Sequence, residues 1–189
     1  MNYKAIIFDF YGVTCSEIGG PWYKKHSTEN RGRELKDQYD KPSNLGVMSE
    51  SEFFSNLGQQ SWTTAEQVRK EWTDAVVINM PLVSLIRKLR PAYKIALCSN
   101  TQPQLFRQIL GENNLEELFD VIVSSSEVHL AKPNPEIFKI TLSKLNVSPS
   151  EAIFIDDKPE NVEAATAIGI RSLLYTDFET LQKDFGVLN

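Results

Sequence analysis

The stretch IIFDFYGVTC, residues 6–15, decides the reading of the chain: an unbroken apolar run stops at Asp9, and Tyr11, Gly12 and Thr14 follow. A run of this kind, rich in β-branched and aromatic side chains, reads as a strand covered on both faces. The carboxylate at its end then stands where the strand leaves the sheet.

Four further apolar runs of strand length follow, and with the first they give Ala5 to Phe10, Ile95 to Cys98, Val121 to Val123, Ile153 to Ile155 and Ser172 to Tyr175. Between them lie segments with helical spacing. Pro81 to Arg90 carries Leu82, Leu85, Ile86 and Leu89 on one face, and Pro135 to Leu145 begins behind Asn134, a residue suited to cap it. Strand and helix in alternation predict an α/β fold, a Rossmann-like parallel five-stranded sheet flanked by helices.

The stretch from residue 16 to 79 departs from this rhythm. It opens with Gly19-Gly20-Pro21, passes a polar segment Gln38 to Asn44 that reads as a loop, and continues through helix-like stretches at Glu50 to Leu57 and Ala65 to Val76. Inserted after the first strand, it falls at the carboxyl edge of the sheet, where open α/β sheets bind ligands. The predicted organisation is a core of residues 1–15 and 80–189 with a small helical cap of residues 16–79. Trp22, Tyr23, Trp62 and Trp72 are expected in the core of that cap.

At 189 residues the chain can bury one substantial core. Its net charge of −5 speaks against nucleic-acid and anionic-membrane partners, both of which require a clustered basic surface. Cys15 and Cys98 form neither a disulfide framework nor a four-ligand zinc set, and Cys98 reads as a packed small hydrophobe. No apolar stretch is long enough for a membrane span and no secretory leader is evident, so the expected location is the cytoplasm.

Polar residues recur where each predicted strand stops: Asp9, Ser99-Asn100, Lys132 in HLAKPNPEIF (129–138), and Asp156-Asp157. Parallel strands bring such ends into one crevice. Asp9 and Asp157 are hard oxygen ligands suited to Mg2+, which commonly combines one or two carboxylates with substrate phosphate. Ser99 can donate to a phosphoryl oxygen, Lys132 can offset the negative charge, and an Asp carboxylate held in line can attack phosphorus. Thr14 and Asn100 can orient Asp9 or touch substrate, or serve a turn and a helix start respectively. Arg31 and Arg33 read as solvated surface charges, His26 as lacking any ligand-spaced partner, and His129 as a loop residue near Lys132.

FDFYGVT (8–14), LCSNT (97–101), AKPNPEIF (131–138) and FIDDKPENV (154–162) resemble, in order, the four motifs of the haloacid dehalogenase-like (HAD) hydrolase superfamily. LGVMSESEFFSNL (45–57) resembles the cap of the branch holding small sugar-phosphate phosphatases and the amino-terminal phosphatase domain of epoxide hydrolase. The resemblance implies a Mg2+-dependent phosphatase acting on a small phosphorylated metabolite through an aspartyl-phosphate. It implies Asp9 as nucleophile, Ser99, Asn100 and Lys132 at the phosphoryl group, and Asp9, Asp157 and the Tyr11 main-chain carbonyl around the metal. Asp156 stands in the outer shell with Asn161 as its partner.

Phosphatases of the superfamily carry Asp where this chain has Tyr11, and use its carboxyl to protonate the leaving alcohol and activate water. A positioned acid or base contributes about 10²- to 10⁴-fold, so the change weakens hydrolysis of poor leaving groups. Haloacid dehalogenases resemble the chain at Tyr11 but carry no acidic pair in the fourth motif. A dehalogenase and a non-catalytic metal- and phosphate-binding module are therefore the alternative readings. Oligomeric state and the physiological substrate are not readable from the sequence.

Overall fold

A computed structural model of the chain describes residues 3–186. Five parallel strands, β1 (Ala5–Phe8), β2 (Lys94–Ser99), β3 (Val121–Ser124), β4 (Ala152–Asp156) and β5 (Arg171–Leu174), form a sheet in the order β3-β2-β1-β4-β5. The order reverses at β1, the point where a crevice opens at the carboxyl ends of such a sheet.

Alternation along the strands feeds two cores. Ile6, Phe8, Leu97 and Ile155 face one side, with Leu82, Val83 and Ile86 of α6 (Met80–Leu89) and Leu105, Phe106 and Ile109 of α7 (Pro103–Glu112). Ala5, Ile7, Cys98 and Phe154 face the other, with Ile137, Phe138 and Leu142 of α9 (Pro135–Leu145) and Ala165 of α10 (Pro159–Ala167). Cys98 is buried as a small hydrophobe, and Asn134 caps α9 by accepting from the Glu136 amide. A short α8 (Ser125–Val128) follows β3, and α11 (Phe178–Gly186) follows β5.

Between β1 and α6 lie α1 (Gly19–His26), α2 (Glu29–Leu35), α3 (Lys41–Asn44), α4 (Glu50–Gln60) and α5 (Ala65–Asp74). Trp22, Tyr23, Phe53, Phe54, Leu57, Val68 and Trp72 pack together, in one cluster continuous with the sheet face that carries Ile6 and Phe8. Two expectations for this segment are corrected. Gln38 to Asn44 is helical: a π turn spans Lys36–Asp40 and runs directly into α3. Leu35, Tyr39 and Ser43 are buried four residues apart, a helical stripe hidden by the polar residues around it. Pro42 has no amide to continue the ladder, and the wider turn just upstream is closed by the Lys41 amide on the Lys36 carbonyl. Trp62 does not join the cap core. It is 96% exposed, in a left-handed conformation (φ 57°) where the chain turns from α4 towards α5.

Glu50 fastens this segment to the sheet domain. Its carboxylate, 3% exposed, accepts from the amides of Gln104 (3.0 Å) and Leu105 (2.8 Å) through Oε2. Those are orphan donors in the first turn of α7, whose own N-cap, Gln102, makes no side-chain cap. Arg69 of α5 lies 3.6 Å from Oε1 and donates to Gln108 of α7 at 2.7 Å.

Glu50→Ala leaves these two amides buried without an acceptor, a loss of about 1 to 3 kcal/mol. Urea unfolding should show the midpoint falling with an unchanged slope.

Candidate active site

Asp9 follows the last residue of β1, with its amide on the Ile155 carbonyl (2.9 Å). Register therefore sets it beside Asp156, the last residue of β4. Lys132, from the loop after α8, is buried and reaches both: its Nζ lies 2.7 Å from Asp9 Oδ1 and 2.6 Å from Asp156 Oδ2. Asn100 holds that loop, accepting from the Lys132 amide and donating to the Lys132 carbonyl, each at 2.8 Å. Asn100 thus orients Lys132 rather than Asp9. Thr14 orients Asp9, donating from its hydroxyl to the Asp9 carbonyl at 2.7 Å.

The two acids of the fourth motif differ in their surroundings. Asp156 is saturated: besides Lys132 it accepts from Asn161 at 2.9 and 3.1 Å and from the Lys158 amide at 2.9 Å. Asp157 keeps a buried Oδ1 with no hydrogen-bond partner among the described residues. Gly12, at φ 85°, makes room for it, since a Cβ there would stand 2.6 Å from Asp157 Cγ. Ser99 Oγ is likewise buried and unpartnered. Buried polar atoms without partners are costly and call for a ligand or water.

Carboxylate oxygens of Asp9, Asp156 and Asp157 lie within 4.8 Å of one another. Burial pushes the Asp9 carboxyl up to about 7 against the pull of Lys132, and burial also raises Asp157. Desolvation opposes the charge on Lys132, but Asp9 and Asp156 outweigh it and hold the ammonium well above its ordinary range. Three acids thus face Lys132 and Lys158, an excess of negative charge that fits a hard divalent cation.

The Tyr11 hydroxyl is buried without a hydrogen-bond partner among the described residues, and its ring meets Phe10 edge-on at 4.9 Å. Burial drives its phenol far above the ordinary tyrosine value.

A cavity of about 510 Å3 opens over these groups, lined by Asp9, Tyr11, Ser99 and Lys132 from the sheet side and by Gly19, Lys36, Asp40 and Trp72 from the helical segment. Arg33 lies on its rim and pairs with Glu29, whereas Arg31 pairs with Glu34 at 2.8 Å away from it. His26 packs on Trp22 and contacts Glu71 at 2.7 Å; His129 contacts the Leu45 carbonyl at 2.9 Å. Lys36, Asp40 and Glu50 escaped sequence reasoning. The spacing of Leu35, Tyr39 and Ser43 was the signal that could have exposed the first two.

A family model described as haloacid dehalogenase-like hydrolase matches residues 22–175. A phosphorylated carbohydrates phosphatase of Thermotoga maritima is 36% identical over 92% of this chain and 78% of its own length. The mouse protein acyl-CoA dehydrogenase family member 10 is 31% identical over 99% of this chain, which spans 19% of that protein. Among solved structures, a HAD-family enzyme of Bacteroides thetaiotaomicron in complex with magnesium and inorganic phosphate is 25% identical, with a TM-score of 0.80 over 95% of this chain and 99% of that one. No helix among the described residues is long and apolar enough to cross a membrane.

A cation held by these carboxylates would compete with protons for Asp9, whose carboxyl is pushed up to about 7, so Mg2+ affinity should fall as pH drops through that value, approaching ~10-fold per pH unit for each proton displaced. Calorimetric titration at pH 6 and 8 reads this directly. Gly12→Ala, which drives a methyl into Asp157, should abolish the binding at both.

Proposed function

The chain belongs to the haloacid dehalogenase-like hydrolase family, and we propose that it is a Mg2+-dependent phosphatase that cleaves a small phosphorylated metabolite through an aspartyl-phosphate on Asp9. The observation that carries this reading is the buried Lys132 bridging Asp9 and Asp156 beside the unpartnered Ser99 Oγ and Asp157 Oδ1. The magnesium and phosphate in the Bacteroides enzyme's complex and the name of the Thermotoga relative support it.

In this reading Asp9, Asp157 and the Tyr11 carbonyl hold the cation, and Asp156, tied to Asn161 and Lys132, fixes the shell around it. Bound Mg2+ supplies positive charge to the phosphoryl oxygens. Asp9 is pinned for attack: its Oδ1 accepts from the Phe10 amide at 2.6 Å and from Lys132, leaving Oδ2 to face phosphorus. Ser99 donates its free hydroxyl to a phosphoryl oxygen, and Lys132 offsets the charge that the phosphate brings. The helical segment of residues 16–79 acts as the cap that closes the cavity and excludes water. Three carboxylates so close together disfavour the dehalogenase reading, which has no cation to balance them.

Tyr11 withdraws the acid from its usual place. A phenol raised this far does not exchange protons near neutrality, so Tyr11 cannot protonate a leaving oxygen.

The protein should release phosphate from 4-nitrophenyl phosphate only with Mg2+ present, and Asp9→Asn should lower turnover by at least about 10³-fold while remaining folded. Halide release from a 2-haloacid without metal, and no phosphate from any aryl or acyl ester, would overturn the proposal.

A further inference from the structure

We propose that Asp40, presented by the helical segment, is the proton donor and acceptor of this site, taking the task that Tyr11 cannot perform; the proposal rests on the phosphatase reading above. Cleaving an alkyl phosphate requires one group that gives a proton to the departing oxygen and later takes one from water, and such a group must change protonation near the working pH.

The other acids around the cavity are engaged elsewhere or lie open to solvent. Asp9 attacks, Asp156 is saturated by Lys132 and Asn161, and Asp157 faces the cation position. Glu17 lies 3.8 Å from Lys158, Asp37 is ion-paired with Lys41 at 2.7 Å, and Glu160 is exposed. Asp40 differs from all of these. It lines the same cavity as Asp9 and Ser99, half-buried, from the wall formed by the helical segment.

Its carboxyl is held in place. The Tyr23 hydroxyl donates to Oδ1. Asp40 also ends the π turn, a local widening that recurs at functional sites and re-aims the residue it carries. The charged groups around it come from four elements. Burial raises its carboxyl to about 7; the Tyr23 hydrogen bond on α1 and Lys36 in the π turn oppose the rise, Glu17 after β1 adds to it, and Lys158 after β4 opposes it. Burial and Asp40 itself keep the Tyr23 phenol protonated and donating.

The cycle then closes. As Asp9 Oδ2 bonds to phosphorus, the bond from phosphorus to the leaving oxygen breaks, and that oxygen takes the Asp40 proton. Water next bonds to phosphorus and gives its proton to Asp40, and the Asp9–phosphorus bond breaks. Alcohol and phosphate leave, with both carboxyls restored.

The test compares glycerol 3-phosphate, whose leaving oxygen needs a proton, with 4-nitrophenyl phosphate, whose leaving oxygen does not, in the presence of Mg2+. Asp40→Asn should lower kcat/KM for the alkyl ester about 10²-fold or more, lower it far less for the aryl ester, and remove the decline in alkyl turnover above pH 7. Tyr11→Asp placed on Asp40→Asn should restore alkyl turnover by returning a carboxyl to the site. Tyr23→Phe removes a hydrogen bond that favours the Asp40 carboxylate, so the alkaline decline should move to higher pH. If Asp40→Asn leaves alkyl turnover unchanged, or lowers both esters equally, the assignment to Asp40 falls while the phosphatase reading stands. If the unaltered protein hydrolyses neither ester, both fall.

Discussion

A single buried ammonium organises the structure. Lys132 Nζ sits between Asp9 and Asp156, at 2.7 and 2.6 Å, and these acids end adjacent parallel strands. Removing a lysine from water is costly, and the two carboxylates repay it only while they stay in register. Breaking a buried pair of this kind costs about 3 to 5 kcal/mol, a large part of a domain's net stability. The requirement reaches outward: Asn100 clamps both backbone groups of Lys132, so the end of β2 is tied to the loop after α8 through the same cation. Sheet register and site geometry are one constraint.

That constraint explains why the core of the site was legible in the sequence. Asp9, Ser99, Asp156 and Asp157 stand at or just beyond the ends of apolar runs, with Lys132 in the loop that follows the third run after α8, and parallel pairing of Phe8 with Leu97 and Ile155 gathers those strand ends. The strand and helix limits shifted by a residue or two, as the end of β1 at Phe8 rather than Phe10 illustrates. Asn134 and the start of α9 were readable because a local cap and a local proline mark them. The helical segment was harder to read. Glu50 looks like any acidic first-turn residue of α4, and its role appears only when α7, more than fifty positions away, supplies two amides for it. Asp40 lay in a polar run whose only sign of order was three residues at helical spacing. Trp62 is aromatic and exposed because backbone direction at a turn, rather than side-chain hydrophobicity, fixed its place.

The cluster that joins Trp22, Tyr23 and Phe53 to Phe8 and Leu97 has a mechanical consequence. Glu50 and Arg69 bind one side of the helical segment to α7, and Ser125 binds another by donating to the Asn44 carbonyl at 2.5 Å. Glu17 and Lys158 form an exposed pair at 3.8 Å. Exposed pairs contribute little, about 1 kcal/mol or less.

The same geometry gives tyrosine a physical rationale at position 11. An aspartate there would add a fourth carboxylate to a cluster in which Asp9 and Asp157 are already raised by burial, with Lys132 and Lys158 as the facing cations. Tyr11 instead extends an aromatic chain, edge-on to Phe10, which meets Phe106 of α7 at 5.2 Å. Packing of this kind is worth about 0.5 to 1.5 kcal/mol per pair beyond buried area, and the main-chain carbonyl at position 11 is unaffected by the exchange. Charge is thereby removed from the most crowded point of the site. A carboxyl that must change protonation is better placed at Asp40, which burial raises to about 7 against the opposing pull of Tyr23 and Lys36, than among acids whose charges would each push its proton affinity higher.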